Sequence, residues 1–219
     1  MDNINTNVAL KELEELFVAK KFSDAREYLL GKKTDLSPGL FHYNMGVVLG
    51  EEGNLAGARY HFEIAKKKGF AHPAIYKNLN IIEQRVDGKI KSEGIYENIT
   101  NFYVSTPSSV FIFVSLFLSL IALVTLRYIK SRKLITTSVI ALLILPTIVK
   151  VSYFEQKYST ALSLKEVELF QGPSKVYDVI DLIPAGKKLI ISKNYSEWVF
   201  IEYPVEFSGW IDRKKVAYY

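Results

Sequence analysis

Hydrophobic residues follow three different patterns along this chain, and each pattern predicts a different kind of structure. Over the first 90 residues, apolar positions recur every three or four residues in five segments, which is typical of amphipathic helices. Between residues 107 and 154 they form two nearly continuous runs, and from residue 161 they alternate with polar positions as in strands. The chain is predicted to be a multidomain membrane protein with an all-α helical repeat, a transmembrane helical hairpin and an all-β barrel.

The two apolar runs predict a pair of membrane-spanning helices over residues 107–128 and 134–154. At about 1.5 Å per residue, about 19 uncharged residues cover most of a hydrocarbon core of roughly 30 Å. Pro146 predicts a kink in the second helix, and Lys150 is expected to extend toward the headgroups. The alternative is a pair of buried core helices, which rarely need such long uncharged runs.

The excess of positive charge is confined to this hairpin. The chain has 28 basic and 23 acidic residues, but basic and acidic residues balance in 1–106 and again in 155–219. Neither soluble part therefore offers the basic face that nucleic-acid binding requires, and no nucleic-acid partner is predicted. Four of the five excess charges lie in or beside the short connector 129–133, and these candidate topology determinants are Arg127, Lys130, Arg132 and Lys133.

The basic residues of the short connector predict that it lies on the cytoplasmic side of the membrane, because Lys and Arg keep short loops in the cytoplasm. Both soluble parts would then lie outside the cytoplasm, on a protein that crosses the membrane twice. The first residues show no signal-peptide pattern, which leaves three explanations open: a signal sequence precedes Met1, the first span acts as a reversed anchor, or the topology is inverted with both parts cytoplasmic. The absence of cysteine fits either compartment.

Residues 1–90 resemble two tetratricopeptide repeats followed by a capping helix, with a linker expected over 91–106. The strongest copy begins His42-Tyr-Asn-Met-Gly46 and continues through Leu49, Gly53, Asn54, Leu55, Ala58, Phe62 and Ala65. In this copy Gly46 and Ala58 are expected where the paired helices approach, with Phe62 filling the gap between repeats.

The resemblance implies a peptide-binding groove formed by the first helix of each pair. This surface is mostly apolar and aromatic, without the Lys, Asn and Arg set that clamps a terminal carboxylate. Ordinary packing between helices is the alternative role for these side chains. The candidate groove residues are Phe17, Tyr43, Asn44, Val47 and Lys77.

After a linker at 155–160, residues 161–219 resemble a bacterial SH3-like barrel of five short strands. Trp198 and the later Gly209-Trp210-Ile211 are its most specific features, and Val199, Ile201 and Ile211 are expected in the core. Exposed aromatic residues could bind a peptide or glycan, whereas the alternative is that the tryptophans close the ends of a small barrel. The candidate ligand surface consists of Tyr177, Trp198, Tyr203 and Trp210.

Catalytic chemistry finds little support in the sequence. The chain has no cysteine, and its three histidines all fall in the repeat helices. It contains no HExxH motif, no Asp-rich metal loop and no Gly-rich phosphate loop before a helix. We therefore expect a non-enzymatic protein without a cofactor or a bound metal.

The order of these parts resembles the E-type members of the bacterial aerotolerance (Bat) family. That resemblance implies a non-catalytic inner-membrane component in envelope integrity or stress tolerance, beside membrane proteins with von Willebrand factor A domains and a MoxR-type ATPase. Two functions follow as hypotheses. One is a membrane-held scaffold for protein partners, and the other is an envelope receptor or anchor whose barrel binds peptidoglycan or its peptides.

Overall fold

The computed structural model describes residues 2–86, 94–129 and 133–219, with side chains from Thr6 onward. Within these residues, eight helices of ten or more residues precede a seven-stranded antiparallel sheet. The helices are α1 (Asp2–Val18), α2 (Phe22–Gly31), α3 (Pro38–Glu51), α4 (Leu55–Lys67), α5 (Pro73–Val86), α6 (Ile95–Ser105), α7 (Ser108–Tyr128) and α8 (Lys133–Val149).

Local capping explains where the central helices begin. The Ser37 side chain accepts a hydrogen bond from the Leu40 amide ahead of α3, and Pro38 occupies the first helical position. The Asn54 side chain accepts from the Gly57 amide at 2.9 Å and starts α4. Between them Gly53 has a φ of +80°, a left-handed conformation that favours glycine.

Helices α3 and α4 approach closely at Gly46. A Cβ at Gly46 would lie 2.8 Å from the Phe62 ring, whereas one at Gly50 would lie 3.8 Å from Ala58. Phe62 and Ala58 are both buried. The close approach expected at Gly46 is confirmed, but the side chain that meets it is Phe62 of the paired helix, and Ala58 lies nearest Gly50. Phe62 therefore packs within the α3–α4 pair, and its expected place between repeats is corrected.

The segment predicted as a linker over 91–106 contains helix α6. Ile95, Ile99 and Tyr103 recur at four-residue spacing, but Ile95 and Ile99 are exposed, so this spacing does not mark the buried face of α6. Thr100 is buried and Tyr103 is partly buried, so this segment packs against the rest of the molecule.

Helices α7 and α8 form an antiparallel hairpin. Helix α7, and α8 together with the helical turns that continue it to Lys157, are long and apolar enough to cross a membrane, and few of their side chains are buried. The Thr147 hydroxyl donates to the Phe111 carbonyl at 3.1 Å and lies 2.6 Å from the Ser115 hydroxyl, which fixes the start of α7 beside the end of α8. Helix α8 continues past Pro146 and into a π-helical segment, Lys150–Phe154.

The basic residues at the other end of the hairpin are described only in part. Arg127 lies in the last turn of α7 and Lys133 begins α8, and both side chains are exposed. Lys130 and Arg132 lie outside the described residues.

The sheet contains seven strands, not the five predicted. They are β1 (Ser159–Ser163), β2 (Val167–Phe170), β3 (Val179–Ile183), β4 (Lys188–Tyr195), β5 (Trp198–Tyr203), β6 (Gly209–Asp212) and β7 (Val216–Tyr218), in the order β3-β2-β6-β5-β4-β1-β7. The prediction missed β1 and β7. β1 is rich in small residues and begins within the predicted linker 155–160, and β7 has three residues, so neither shows clear alternation.

The sheet core consists of inward-facing side chains, which alternate along the strands with side chains of the outer face. Val199, Ile201 and Ile211 are fully buried, which confirms the prediction for these three side chains. Leu169, Ile183, Leu189 and Ile191 complete the same cluster.

Candidate functional site

The groove residues predicted from sequence lie on α1, α3 and α5. Tyr43 is partly buried and stacks on Phe70, with ring centroids 4.7 Å apart. The Asn44 amide donates to the Leu40 carbonyl of its own helix at 2.9 Å, and Val47 packs against the helical core. On the neighbouring elements, the Phe17 ring meets Phe22 edge-on at 5.3 Å, and Lys77 is exposed.

These placements separate packing residues from accessible ones. Phe17, Tyr43 and Val47 all pack against the helical core, and Asn44 caps a carbonyl, so each already has a structural role. Lys77 on α5 is the most accessible of the five positions.

The aromatic residues of the sheet divide into two groups. Phe200 and Trp210 are cross-strand partners on β5 and β6, with ring centroids 5.3 Å apart, and Tyr195 lies 6.5 Å from Trp210. Trp198 contacts the Phe170 ring edge-on at 5.1 Å. Trp198, Phe200 and Trp210 are each partly buried and alternate with core residues along their strands, so they stand on the outer face.

Two predicted ligand residues of the sheet lie elsewhere. The Tyr177 ring covers Gly172, where an added Cβ would lie 2.6 Å from it. Tyr203 packs in a separate cluster with Phe154, Tyr158 and Ile190. The structure therefore brings Trp210 together with Phe200 and Tyr195, two residues that the sequence argument did not select.

A buried arginine joins the helical part to the sheet. Arg59 on α4 is 2% exposed, and its Nη1 donates to the Gly186 carbonyl at 2.8 Å in the turn before β4. Its Nη2 lies 3.3 Å from a carboxylate oxygen of Glu83 on α5. One side chain therefore connects α4, α5 and the sheet, and removing it would leave polar partners unpaired.

A second polar contact joins the sheet to α6. The Lys188 ammonium on β4 donates to Asn101 Oδ1 at 2.9 Å and to Ser105 Oγ at 2.6 Å. Burial lowers the pKa of Lys188, and the neighbouring carboxylate of Glu63 opposes this by favouring the charged form. Glu63 is itself only 8% exposed.

Sequence reasoning missed Arg59 and Glu63 because they imitate a solvated helix face. Their spacing, four residues apart on α4, is that of an exposed ion pair on an isolated helix. The available signal was their position beside Ala58 and Phe62, which places them at the margin of the apolar face.

An aromatic cluster joins these parts to the base of the hairpin. Tyr103 of α6 stacks on Phe154 at 4.5 Å and on Phe111 of α7 at 5.2 Å. Phe154 packs in turn with Tyr158 and with Ile190 of β4. Helix α6 and the sheet therefore meet at the end of the hairpin where α7 begins and α8 ends.

Two histidines form a partly buried pair within the helical core. The Nδ1 atoms of His42 on α3 and His61 on α4 are 3.0 Å apart. Burial, with a smaller effect of His42, lowers the pKa of His61 to about 4, and burial also lowers the pKa of His42. Within the described parts of the chain, no three His, Asp or Glu side chains lie close enough together to hold a metal ion.

Comparisons of the chain with protein-family models, with curated proteins and with solved structures find no match.

Proposed function

We propose that this protein is a non-catalytic scaffold anchored in the bacterial inner membrane, which binds protein partners through α1–α5 and through the sheet. The observation that carries the proposal is the Arg59 contact, because it holds the helical part and the sheet in one arrangement at the same end of the hairpin. A scaffold that presents two surfaces in a fixed relation raises the effective concentration of the partners that it holds.

The finer assignments are part of this proposal. Helices α1–α5 are a tetratricopeptide array, supported by the close approach at Gly46 and by the turn at Gly53. The sheet is an SH3-like barrel, supported by antiparallel pairing throughout and by the buried Val199, Ile201 and Ile211. Helices α7 and α8 cross the membrane, with the basic connector cytoplasmic and both soluble parts outside the cytoplasm.

The proposed partners are those that the resemblance to the aerotolerance family implies: membrane proteins with von Willebrand factor A domains and a MoxR-type ATPase system, in envelope integrity or stress tolerance. Membrane lipid surrounds the hairpin. Because most groove residues pack in the core, we expect modest affinity at this surface unless the sheet adds a second contact.

Site-specific photocrosslinking in cells tests the scaffold function. A photoreactive amino acid at Lys77, the exposed groove position on α5, should capture a membrane protein with a von Willebrand factor A domain. The matched control is Glu27, which is exposed on α2, the second helix of its pair. Equal capture from both positions, or capture of no such protein from Lys77, would contradict the proposal.

The outer face of the sheet favours a second candidate function, the binding of peptidoglycan or its peptides. Phe200, Trp210 and Tyr195 form a partly exposed aromatic group on β4–β6, the kind of surface on which sugar rings or peptides stack. Full-length protein in detergent should then bind cell-wall sacculi saturably, and Trp210→Ala should abolish this retention while Tyr177→Ala preserves it. Absence of retention in the wild type would exclude this function.

A further inference from the structure

A cavity of about 470 Å³ lies where α4, the α6–α7 connection, the π-helical segment, β1 and β4 meet. Its volume falls within the range of about 300–1,000 Å³ that is typical of small-molecule sites. We call it the junction cavity. Four lysines and two glutamates line it, which leaves a net charge of +2, and these residues are Lys66, Lys67, Lys150, Lys188, Glu63 and Glu155.

The lysines are held in place although they repel one another. Lys188 is fixed by its hydrogen bonds to Asn101 and Ser105. Lys150 is 4% exposed and lies 3.8 Å from Glu155. Lys67 acts repulsively on Lys150, as Lys66 does on Lys188. An anion in the cavity would relieve this repulsion, because opposite charges attract strongly where water is excluded.

Hydroxyl groups supply further hydrogen-bond donors to the same space. They come from different elements, so they surround the cavity rather than form one stripe. Phosphate oxygens accept hydrogen bonds from hydroxyl and ammonium groups, and the hydrogen bonds from ammonium groups are the stronger. Burial raises the pKa of Tyr219 well above its usual value, so that its hydroxyl keeps its proton. Ser105, Ser108 and Thr160 line the cavity but already donate to Asn101 Oδ1, Glu155 and the Tyr219 carbonyl. The hydroxyls that lie nearest the cavity and are left as donors to a ligand are those of Thr106, Tyr158, Ser159 and Tyr219.

The cavity lies at the level where the apolar surface of the hairpin ends. Ser108 is the first residue of α7, and Lys150 directly follows Val149, the last residue of α8. The Ser108 hydroxyl donates to Glu155, which holds these two ends together. Val104 and Phe154 add apolar lining. A ligand in this cavity therefore contacts the charged side chains on one side and the ends of the apolar helices α7 and α8 on the other.

We propose that the junction cavity binds the phosphate group of an anionic membrane lipid, with the acyl chains lying along α7 and α8. The same charges could hold a soluble phosphate ester, but the adjoining apolar helices favour a lipid. The proposal needs α7 and α8 to lie in the membrane and does not depend on any protein partner.

Native mass spectrometry of the full-length protein in a neutral detergent tests this site. Phosphatidylglycerol should remain bound, whereas zwitterionic phosphatidylcholine should be lost. In the double variant K66Q/K67Q, binding of phosphatidylglycerol should weaken by about fivefold for each lysine removed. The matched control is K165Q/K175Q, which removes two exposed lysines from the loops that precede and follow β2. Far-UV circular dichroism confirms that both variants keep their helices.

Two further arms separate the possible outcomes. Raising the salt concentration should release phosphatidylglycerol from the wild type, a test that needs no variant. Glycerol 3-phosphate, a soluble headgroup, should compete only weakly. Equal retention of the two lipids, or equal retention in K66Q/K67Q and wild type, would overturn the proposal. Saturation by glycerol 3-phosphate without retention of phosphatidylglycerol would overturn the lipid assignment.

Discussion

Replacing Arg59 with methionine is the sharpest perturbation of the contact between the helical part and the sheet. Methionine keeps much of the aliphatic stem but has no hydrogen-bond donor, so the Gly186 carbonyl loses its 2.8 Å partner. Glu83 loses the guanidinium at 3.3 Å as well. The change removes the polar contact while leaving the apolar packing of α4 nearly intact.

The expected cost follows from the burial of each partner. A hydrogen bond from a charged donor contributes about 1.5–3 kcal/mol, and the Gly186 carbonyl accepts one from an arginine that is only 2% exposed. The Glu83 side chain is 42% exposed, so water can solvate it, and its loss of the ion pair adds about 0–1 kcal/mol. We expect Arg59→Met to weaken the junction by about 2–3 kcal/mol, and E83Q by less than about 1 kcal/mol.

Hydrogen exchange on the full-length protein in detergent measures this cost locally. The Gly186 amide donates to the Ser163 carbonyl within the turn that Arg59 contacts, so its protection reports on the junction. A loss of about 2 kcal/mol should speed its exchange by about 30-fold. The control is R26M, because Arg26, whose side chain is 45% exposed, pairs with the partly buried Glu52 at 3.5 Å, and its removal should leave the Gly186 amide unchanged.

Spin labels give an independent readout, since the chain has no native cysteine. Labels at S23C on α2 and S208C before β6 should show a narrow distance distribution in the wild type and a broad one in Arg59→Met. Unchanged exchange at Gly186 together with an unchanged distance distribution would refute the role given to Arg59.

Two further predictions concern the helical core, and both are measured by hydrogen exchange of α3 and α4. G46A places a Cβ 2.8 Å from the buried Phe62 ring, whereas the Cβ of G50A makes only an ordinary contact. The G46A variant should therefore be less stable than G50A by about 1–3 kcal/mol. Equal stability of the two variants would contradict the close approach. The pKa of His61 is lowered to about 4, so the unfolded chain binds more protons between pH 6.5 and 4, and stability should fall by at most about 1.4 kcal/mol per pH unit on acidification through that window. H61Q should reduce this dependence.

Sequence patterns predicted the elements whose hydrophobic periodicity is strong. They failed where the role of a residue depends on tertiary contacts. Helix α4 and strand β5, for example, follow from spacing alone, because one face of each is apolar. Helix α6 was missed because its buried residue, Thr100, is polar while Ile95 and Ile99 are exposed, so no apolar face marks the helix in sequence. The pairing of Phe200 with Trp210 was missed for another reason, since cross-strand register depends on the whole sheet.

The contact between Arg59 and the sheet could not be predicted from sequence either, because it too depends on the tertiary fold. Arg59 and Gly186 are 127 positions apart, and nothing local indicates that a helix face with the spacing of a surface ion pair will be covered by a distant turn. Charged residues at the edge of an apolar face are thus ambiguous until tertiary contacts are known.

Thiol labelling in intact spheroplasts tests most directly whether α7 and α8 cross the membrane with the helical part and the sheet on one side. The variants are S23C on α2, S208C before β6 and S131C in the connector between α7 and α8, and the reagent is a membrane-impermeant maleimide. We expect the thiols of S23C and S208C to react with the maleimide, and the thiol of S131C to stay protected until the cells are lysed. Labelling of all three positions alike, or opposite behaviour of S23C and S208C, would contradict it.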